Sequence, residues 1–140
     1  MAGNLDSVNE SMLLMFRAEN VRSFRDRFEL SMHATTMAER DVPHEVRWRE
    51  GGRPVRVLPA AGIFGANASG KSNLLLAIDD MRDYVLLSFR SGDPSGGVPR
   101  HVFRLNPAAV DVPSRFEVDL ILNGVRWEYG FCIEDRKSVV

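Results

Sequence analysis

The sequence of 140 residues predicts an α/β fold, and three observations support this prediction. Residues 65–72 fit the pattern G-x-x-x-x-G-K-S, which forms a tight loop between a strand and a helix. The segment that follows is apolar at helical spacing, as expected of an amphipathic helix. Two other stretches alternate apolar and polar residues on both sides of a polar turn, as β-hairpins do.

The first hairpin is predicted near the N-terminus. Residues 1–11 are polar and aperiodic and are expected to form a disordered leader, so the predicted domain covers residues 12–140. Apolar residues alternate before and after a polar stretch at 20–27, which predicts two antiparallel strands joined around residues 20–24. The alternating positions are Met12, Leu14, Phe16, Ala18, Phe28, Leu30 and Met32.

The segment between the first hairpin and the loop shows no single pattern. Residues 33–53 are charged and aperiodic, which favours a loop or a short helix followed by a loop. Trp48 stands between two arginines, a pattern that nucleic-acid binding would use, although a solvated loop is the favoured interpretation. Residues 55–58 and 60–64 are apolar enough to be strands. The second is predicted to be buried on both faces of a parallel sheet.

The loop itself has the chemistry of a phosphate site. Gly65 and Gly70 can adopt the backbone angles of a curl in which several N–H groups converge on one anion. The helix that begins near Gly70 directs its unpaired N–H groups and positive dipole end to the same point. Lys71 would contact the outer phosphates, and the Ser72 hydroxyl would ligate Mg²⁺.

The loop therefore predicts a nucleotide site, with Lys71 as its catalytic residue and Ser72 as its metal ligand. The predicted binding residues of the loop are Gly65, Ala66, Asn67, Ala68, Ser69, Gly70, Lys71, Ser72 and Asn73.

After the loop, the periodicity predicts a helix over residues 71–89. Its apolar stripe is expected to be core, and four charged residues are expected to lie mainly off that stripe. Residues 91–97 are rich in glycine, serine and proline and are predicted to be a flexible connector. The stripe consists of Leu74, Ile78, Met81, Val85 and Phe89, with Leu75 and Leu86 beside it, and the charged residues are Asp79, Asp80, Arg82 and Asp83.

Residues 114–134 predict the second hairpin. Asn123 and Gly124 favour a two-residue type I′ turn. That turn places apolar residues opposite one another, so one face of the hairpin is expected to be buried. On the other face Asp119 would lie opposite Glu128, with Arg126 diagonal to Asp119 and able to offset the repulsion. The apolar face is Phe116, Val118, Leu120, Leu122, Val125, Trp127, Tyr129 and Phe131.

Composition limits the remaining classes. A net charge of -1 indicates no global field for nucleic acid or membranes. No apolar run is long enough to span a membrane, and no signal peptide is evident. The single cysteine, Cys132, suits a reducing cytoplasm and is expected to be buried. The three histidines, at 33, 44 and 101, lack a metal-ligand spacing and are expected in loops.

The motifs resemble a known family. Residues 16–26, FRAENVRSFRD, and residues 63–75, IFGANASGKSNLL, are similar to the N-terminal half of an ABC-type head of the RecF/SMC/OLD group. The match is especially close to bacterial AAA-family ATP-binding proteins often associated with phage defence. The stretch that begins PSRFEV at residue 113, with its hairpin, resembles the same family's β lobe. The resemblance runs from about residue 12 to the C-terminus.

The resemblance implies ATP and Mg²⁺ as cofactors, with residues 65–72 around the ATP phosphates and Asn67 at the family's asparagine position. Arg22 and Ser23 match residues that approach the nucleotide in related heads; for Arg22 a solvated turn arginine is an equally good interpretation. Many heads have glycine where Ala68 stands. The sequence has no glutamine and therefore no glutamine-loop residue.

No apolar run ends in Asp-Glu, so a Walker B acid is missing, and SGG at residues 95–97 is better explained as a linker than as a signature motif. The resemblance places both elements of a complete head downstream of residue 140. The first hypothesis is therefore an ATP-binding half-head of a larger ATPase that acts on DNA, RNA or a nuclease effector. It would not hydrolyse ATP alone, and it would form a homodimer or associate with a complementary C-terminal half or an effector.

Two alternatives remain. One is a naturally short ATP-binding regulatory or interaction module that never hydrolyses. The other, less favoured, is a small P-loop kinase, since neither a second substrate motif nor an arginine-rich lid is evident.

Overall fold

A computed structural model describes residues 11–36, 42–48, 52–87 and 100–134. The predicted leader and the connector at 91–97 lie outside the described residues, apart from residue 11. The elements in chain order are β1 (Met12–Glu19), β2 (Phe28–Ser31), β3 (His44–Val46), β4 (Val55–Val57), helix α1 (Lys71–Leu87), a 3₁₀ helix (Pro107–Asp111), β5 (Ser114–Leu122) and β6 (Val125–Ile133). The α/β class is confirmed.

Four strands form one sheet in the order β2-β1-β5-β6, and β3 and β4 form a separate antiparallel pair. Both predicted hairpins are therefore present, each as neighbouring strands. Asn123 and Gly124 have φ angles of 52° and 75°, the positive values that a type I′ turn requires. The turn residues that the sequence singles out thus set the end of β5 and the start of β6.

The chain divides into two compact units. The first unit comprises the described residues of Met1–Phe16, Glu29–Gly62 and Glu117–Tyr129. Its buried cluster is Leu14, Val46, Val57 and Ile121, against which Met12, Met32, Trp48 and Val55 pack. Trp48 is therefore a partly buried packing residue beside a strand, β3, and the prediction of a solvated loop is wrong at this position.

The second unit comprises the described residues of Arg17–Phe28, Ile63–Phe116 and Gly130–Val140. Here Tyr84 of α1 meets Phe116 edge-on at 5.5 Å between ring centroids, and Phe131 stacks on Phe116 at 5.4 Å. Burial raises the pKa of the Tyr84 phenol, and the nearby charge of Asp80 raises it further. This aromatic cluster holds the face of α1 that carries Ala77, Met81 and Tyr84.

The predicted strand at residues 60–64 is wrong. These residues form no strand, and the Phe64 side chain is 94% exposed. A strand buried on both faces needs neighbouring strands to pair its backbone, and none of the described strands pairs with these residues. Residues 60–64 are indeed apolar, but they are exposed within the part of the chain that the structure describes.

The predicted buried face of the second hairpin is correct only at the end that carries Phe116. Near the turn, Leu122, Trp127 and Tyr129 are about half exposed, whereas Asp119 and Ile121 are buried. Alternation puts Asp119 and Ile121 on the face opposite to the predicted one. The strand is thus covered on different faces at its two ends, which a single alternating pattern does not reveal.

Cys132 corrects a related expectation. It is exposed, not buried, because it alternates with Phe131 and Ile133, which are partly buried.

Helix α1 confirms the predicted helix up to Leu87; residues 88 and 89 lie outside the described part of the chain. The buried face is shifted from the predicted stripe: Asp80 is buried, and Val85 is exposed. Asp80 can be buried because an arginine from another segment neutralises it, as described below. No helix among the described residues has the length and hydropathy needed to cross a membrane.

The first unit contains a partly buried ion pair whose removal should lower stability. Arg126 donates two hydrogen bonds to Asp119, at 3.0 and 2.7 Å, and lies over the Trp48 ring at 5.4 Å. The bond to Asp119 raises the pKa of Arg126 above its ordinary value.

Asp119→Asn is expected to lower the free energy of unfolding by about 2 kcal/mol, measured by urea denaturation. The exposed Glu128, 3.7 Å from Arg126, supplies the control, because Glu128→Gln should cost less than about 0.5 kcal/mol. Equal losses in the two variants would refute this account.

Candidate functional site

The predicted phosphate loop leads directly into α1, which begins at Lys71. Gly70 has a φ of 90°, and a Cβ added there would lie 2.9 Å from the Ser23 hydroxyl, so glycine is required both by angle and by space. At Gly65 the reason is different: a Cβ there would lie 2.7 Å from the Ser69 hydroxyl, which would have to rotate away. Ala68 has a φ of 63°, the left-handed region that explains why related loops carry glycine there.

Lys71 lies across the curl of the loop. Its ammonium donates to the carbonyl oxygens of Gly65 and Ala66, at 2.7 and 2.6 Å. The Ser69 N–H also donates to the Ala66 carbonyl, at 3.2 Å. These contacts hold the positive charge of Lys71 against the backbone of the loop, and Lys71 also lines the pocket at the start of α1.

The loop borders an open pocket of about 380 Å³ at the start of α1, lined by residues 67–73. The unpaired N–H groups of the first helical turn and the positive dipole end make this a favourable place for a polyphosphate. Ser72, the residue after Lys71, is exposed in this pocket. Among the described residues no group of three or more His, Cys, Asp or Glu could hold a metal. A single hydroxyl still fits Mg²⁺, which in such sites takes most of its ligands from phosphates and water.

The turn between β1 and β2 lies beside this loop. Backbone bonds of 2.9 and 2.8 Å close it between Val21 and Phe24, and Arg22 within it has a φ of 53°. The turn presents the Ser23 hydroxyl to Gly70, at the junction of loop and helix. Ser23 therefore lies beside the junction of loop and helix, and its contact with nucleotide stays a prediction.

Arg22 does not extend freely into solvent. Its Nε and Nη2 donate to the two oxygens of Asp80 on α1, each at 2.6 Å. The hydrogen bond to Asp80 raises the pKa of the Arg22 guanidinium, more than burial lowers it. The interpretation of Arg22 as a solvated arginine is therefore wrong, and its contact with nucleotide stays a prediction.

A second cavity, of about 410 Å³, adjoins the first at Asn73. Arg22 and Ser23 line one part of it, and residues 101–105 line another. Its lining combines arginine, serine and asparagine side chains with the apolar Val102, Phe103 and Leu105, a mixture that suits a sugar and a base.

Asn20 is the residue of this region that the sequence analysis missed. It is 2% exposed, and its amide donates to the carbonyls of Ala109 and Val112, both at 2.7 Å, while its side-chain oxygen accepts from the Phe103 N–H at 3.2 Å. Its φ of 51° is one that asparagine tolerates better than most residues. Asn20 therefore ties the turn between β1 and β2 to residues 103–112. In the sequence, only its position at a strand end could have suggested this.

Comparison with known proteins identifies the family of this chain. No curated protein and no solved structure is detectably similar to the chain. A family model described as "AAA domain, putative AbiEii toxin, Type IV TA system" matches residues 60–138, more than half of the chain. The matched region contains the phosphate loop, α1 and the second hairpin. The chain therefore belongs to this family of AAA domains and is an ATPase-like nucleotide-binding module.

Proposed function

We propose that residues 65–73 bind the triphosphate of ATP and that the chain is the nucleotide-binding part of an ATPase built like an ABC/SMC-type head. The observation that carries the proposal is the position of Lys71, whose ammonium donates to the Gly65 and Ala66 carbonyls of a loop that leads into the N-terminus of α1. The AAA-domain family generally binds ATP and Mg²⁺, which supports this choice of ligand.

In the proposed complex the loop N–H groups hold the phosphates, and Lys71 reaches the outer ones once it exchanges its carbonyl partners for phosphate oxygens. Ser72 would hold Mg²⁺, which when bound neutralises charge on the phosphates. The nucleoside would occupy the second cavity, because that cavity adjoins the phosphate cavity at Asn73 and is lined by Arg22 and Ser23.

The two motifs that position an attacking water in related heads have no counterpart in the sequence. Phosphate transfer to water needs such a residue in addition to the phosphate cradle and the metal. Since the sequence contains neither a glutamine nor an apolar run that ends in Asp-Glu, we propose that this chain binds ATP without hydrolysing it alone. The resemblance to phage-defence proteins makes a nucleic acid or a nuclease effector the proposed target of the complete ATPase, in the cytoplasm.

Calorimetric titration of the purified chain with ATP and Mg²⁺ tests the proposal. Saturable binding is expected, and ATP at about a hundred times its dissociation constant should stabilise the folded state by about 2.7 kcal/mol. For a chain of this length that corresponds to a rise in melting temperature of about 9 °C. A titration without heat and a melt without a shift would refute the proposed function.

We further propose that the second unit docks against a second copy of the chain or a complementary sheet. Phe64 before the loop is almost fully exposed, and helix α1 exposes Leu75 and Leu86 by 61% and 54%. Exposed apolar side chains concentrated on one helix and its entry segment are typical of an interaction surface. The residues that would contribute are Ile63, Phe64, Leu75, Leu76, Val85, Leu86 and Leu87.

Light scattering after size-exclusion chromatography tests this surface. The chain is expected to self-associate at micromolar concentration, and Leu75→Lys with Leu86→Lys should shift it towards the monomer. Asp26→Lys changes an exposed position in the turn between β1 and β2, away from this face of α1, and serves as the control. A wild-type chain that elutes and melts as a clean monomer would rule out self-association.

A further inference from the structure

Asp80 is a buried carboxylate that no part of the proposed nucleotide site includes. It is 7% exposed, while its helix neighbours Asp79 and Asp83 are exposed. Burying a carboxylate is costly unless it is paired and hydrogen-bonded. Asp80 is paired by Arg22, and His101 Nδ1 lies 3.1 Å from its Oδ1.

These two partners come from different segments of the second unit. Arg22 belongs to the turn between β1 and β2, and His101 belongs to the stretch that precedes the 3₁₀ helix. The backbone connects them as well, since the Arg22 N–H donates to the His101 carbonyl at 2.6 Å. Both segments are therefore fastened to α1 through one carboxylate.

Arg22 and His101 line the second cavity, but Asp80 does not. Asp80 can therefore affect a ligand in that cavity only through the residues it holds. Arg22 also precedes Ser23, whose hydroxyl meets Gly70 at the end of the phosphate loop. A shift of the turn would thus alter the second cavity and the position of Ser23 together.

We propose that Asp80 is a positioning residue for nucleotide binding, which holds the Arg22–Ser23 turn and His101 in the geometry that the nucleotide meets. This inference rests on the proposed function. Asp80 touches neither phosphate nor nucleoside. It contributes to affinity because it holds the Arg22–Ser23 turn and His101 in place before the nucleotide binds, so that binding does not have to order them.

The test compares Asp80→Asn with Asp79→Asn, which are substitutions at adjacent positions of the same helix. Asp80→Asn keeps the side-chain size but removes the charge that Arg22 requires, whereas Asp79→Asn removes an equal charge from the exposed side. Mg-ATP is expected to bind Asp80→Asn about tenfold more weakly, equivalent to about 1.4 kcal/mol, and Asp79→Asn within about twofold of wild type. Circular dichroism and melting curves establish the folded fraction of each sample.

A second measurement separates positioning from a merely structural role. Ser23→Ala is expected to weaken binding several-fold in the wild-type background and by much less in Asp80→Asn, because the turn is already displaced there. Equal costs in the two backgrounds, or a Ser23→Ala variant that binds normally, would overturn the role of the turn. A lower melting temperature of Asp80→Asn with unchanged affinity would overturn the inference altogether.

The remaining outcomes are also decisive. If Asp80→Asn does not fold, Asp80→Glu retains the charge but displaces the carboxylate by one methylene, and it should also bind Mg-ATP more weakly. If wild type fails to bind Mg-ATP, the proposed function fails and this inference fails with it. If wild type binds, Lys71→Ala does not, and Asp80→Asn binds as Asp79→Asn does, only this inference is wrong.

Discussion

Lys71→Ala is expected to weaken Mg-ATP binding by about a hundredfold or more, equivalent to about 2.7 kcal/mol. The Lys71 ammonium is the only positive side chain within the loop of residues 65–73. Its two partners are neutral carbonyl oxygens, which a phosphate can replace at little cost. Isothermal titration calorimetry with ATP and Mg²⁺ measures the loss directly.

Arg82→Ala is the matched control for Lys71→Ala. Arg82 lies on the same helix with its side chain 66% exposed, and its contacts with Asp79 and Asp83, at 3.6 and 3.8 Å, are surface ion pairs of little energetic weight. This variant removes one positive charge without touching the loop, so its affinity should stay within about twofold of wild type. If both variants lose affinity equally, general charge attraction explains the binding and the loop does not.

Asn20→Ala is expected to lower the free energy of unfolding by about 4 kcal/mol. The substitution leaves the carbonyls of Ala109 and Val112 and the N–H of Phe103 without their side-chain partner. An unmade hydrogen bond of a buried group costs about 1–3 kcal/mol. Alanine must also adopt a φ of 51°, which asparagine tolerates better. Chemical denaturation followed by circular dichroism measures the change.

Two further variants separate the hydrogen bonds from the backbone angle. Asn20→Gly loses the same three bonds but accepts the positive φ, so it should be less destabilising than Asn20→Ala by about 1 kcal/mol. Asn20→Asp keeps an acceptor for the Phe103 N–H but has no donor for the two carbonyls, and it should also be destabilised. A stability of Asn20→Ala equal to wild type would show that the three bonds contribute nothing.

Local patterns predicted most of the elements. The alternation of Met12 to Ala18, the Asn123–Gly124 turn and the loop–helix motif predict β1, the β5–β6 hairpin and α1 because each depends on residues close together in sequence. Burial was predicted less well: Trp127 was expected to be buried and is exposed, whereas Asp119 was expected on the exposed face and is buried. Which face of an element is covered depends on distant segments, and alternation alone does not reveal them.

The sequence by itself determined the loop at residues 65–72 and the phosphate chemistry predicted for it. Lysine and serine at residues 71 and 72 specify the charge and the hydroxyl through covalent spacing alone, and Gly70 supplies the positive φ before the helix. Only the tertiary structure decided where Arg22, Asp80 and Asn20 act. Arg22 and Asp80 lie 58 positions apart, and the side-chain partners of Asn20 lie at least 83 positions away. A periodicity rule treats each of the three as an ordinary surface residue. The physical reason is that a buried polar group is tolerated only where folding brings its partner to it, and that encounter has no local signature.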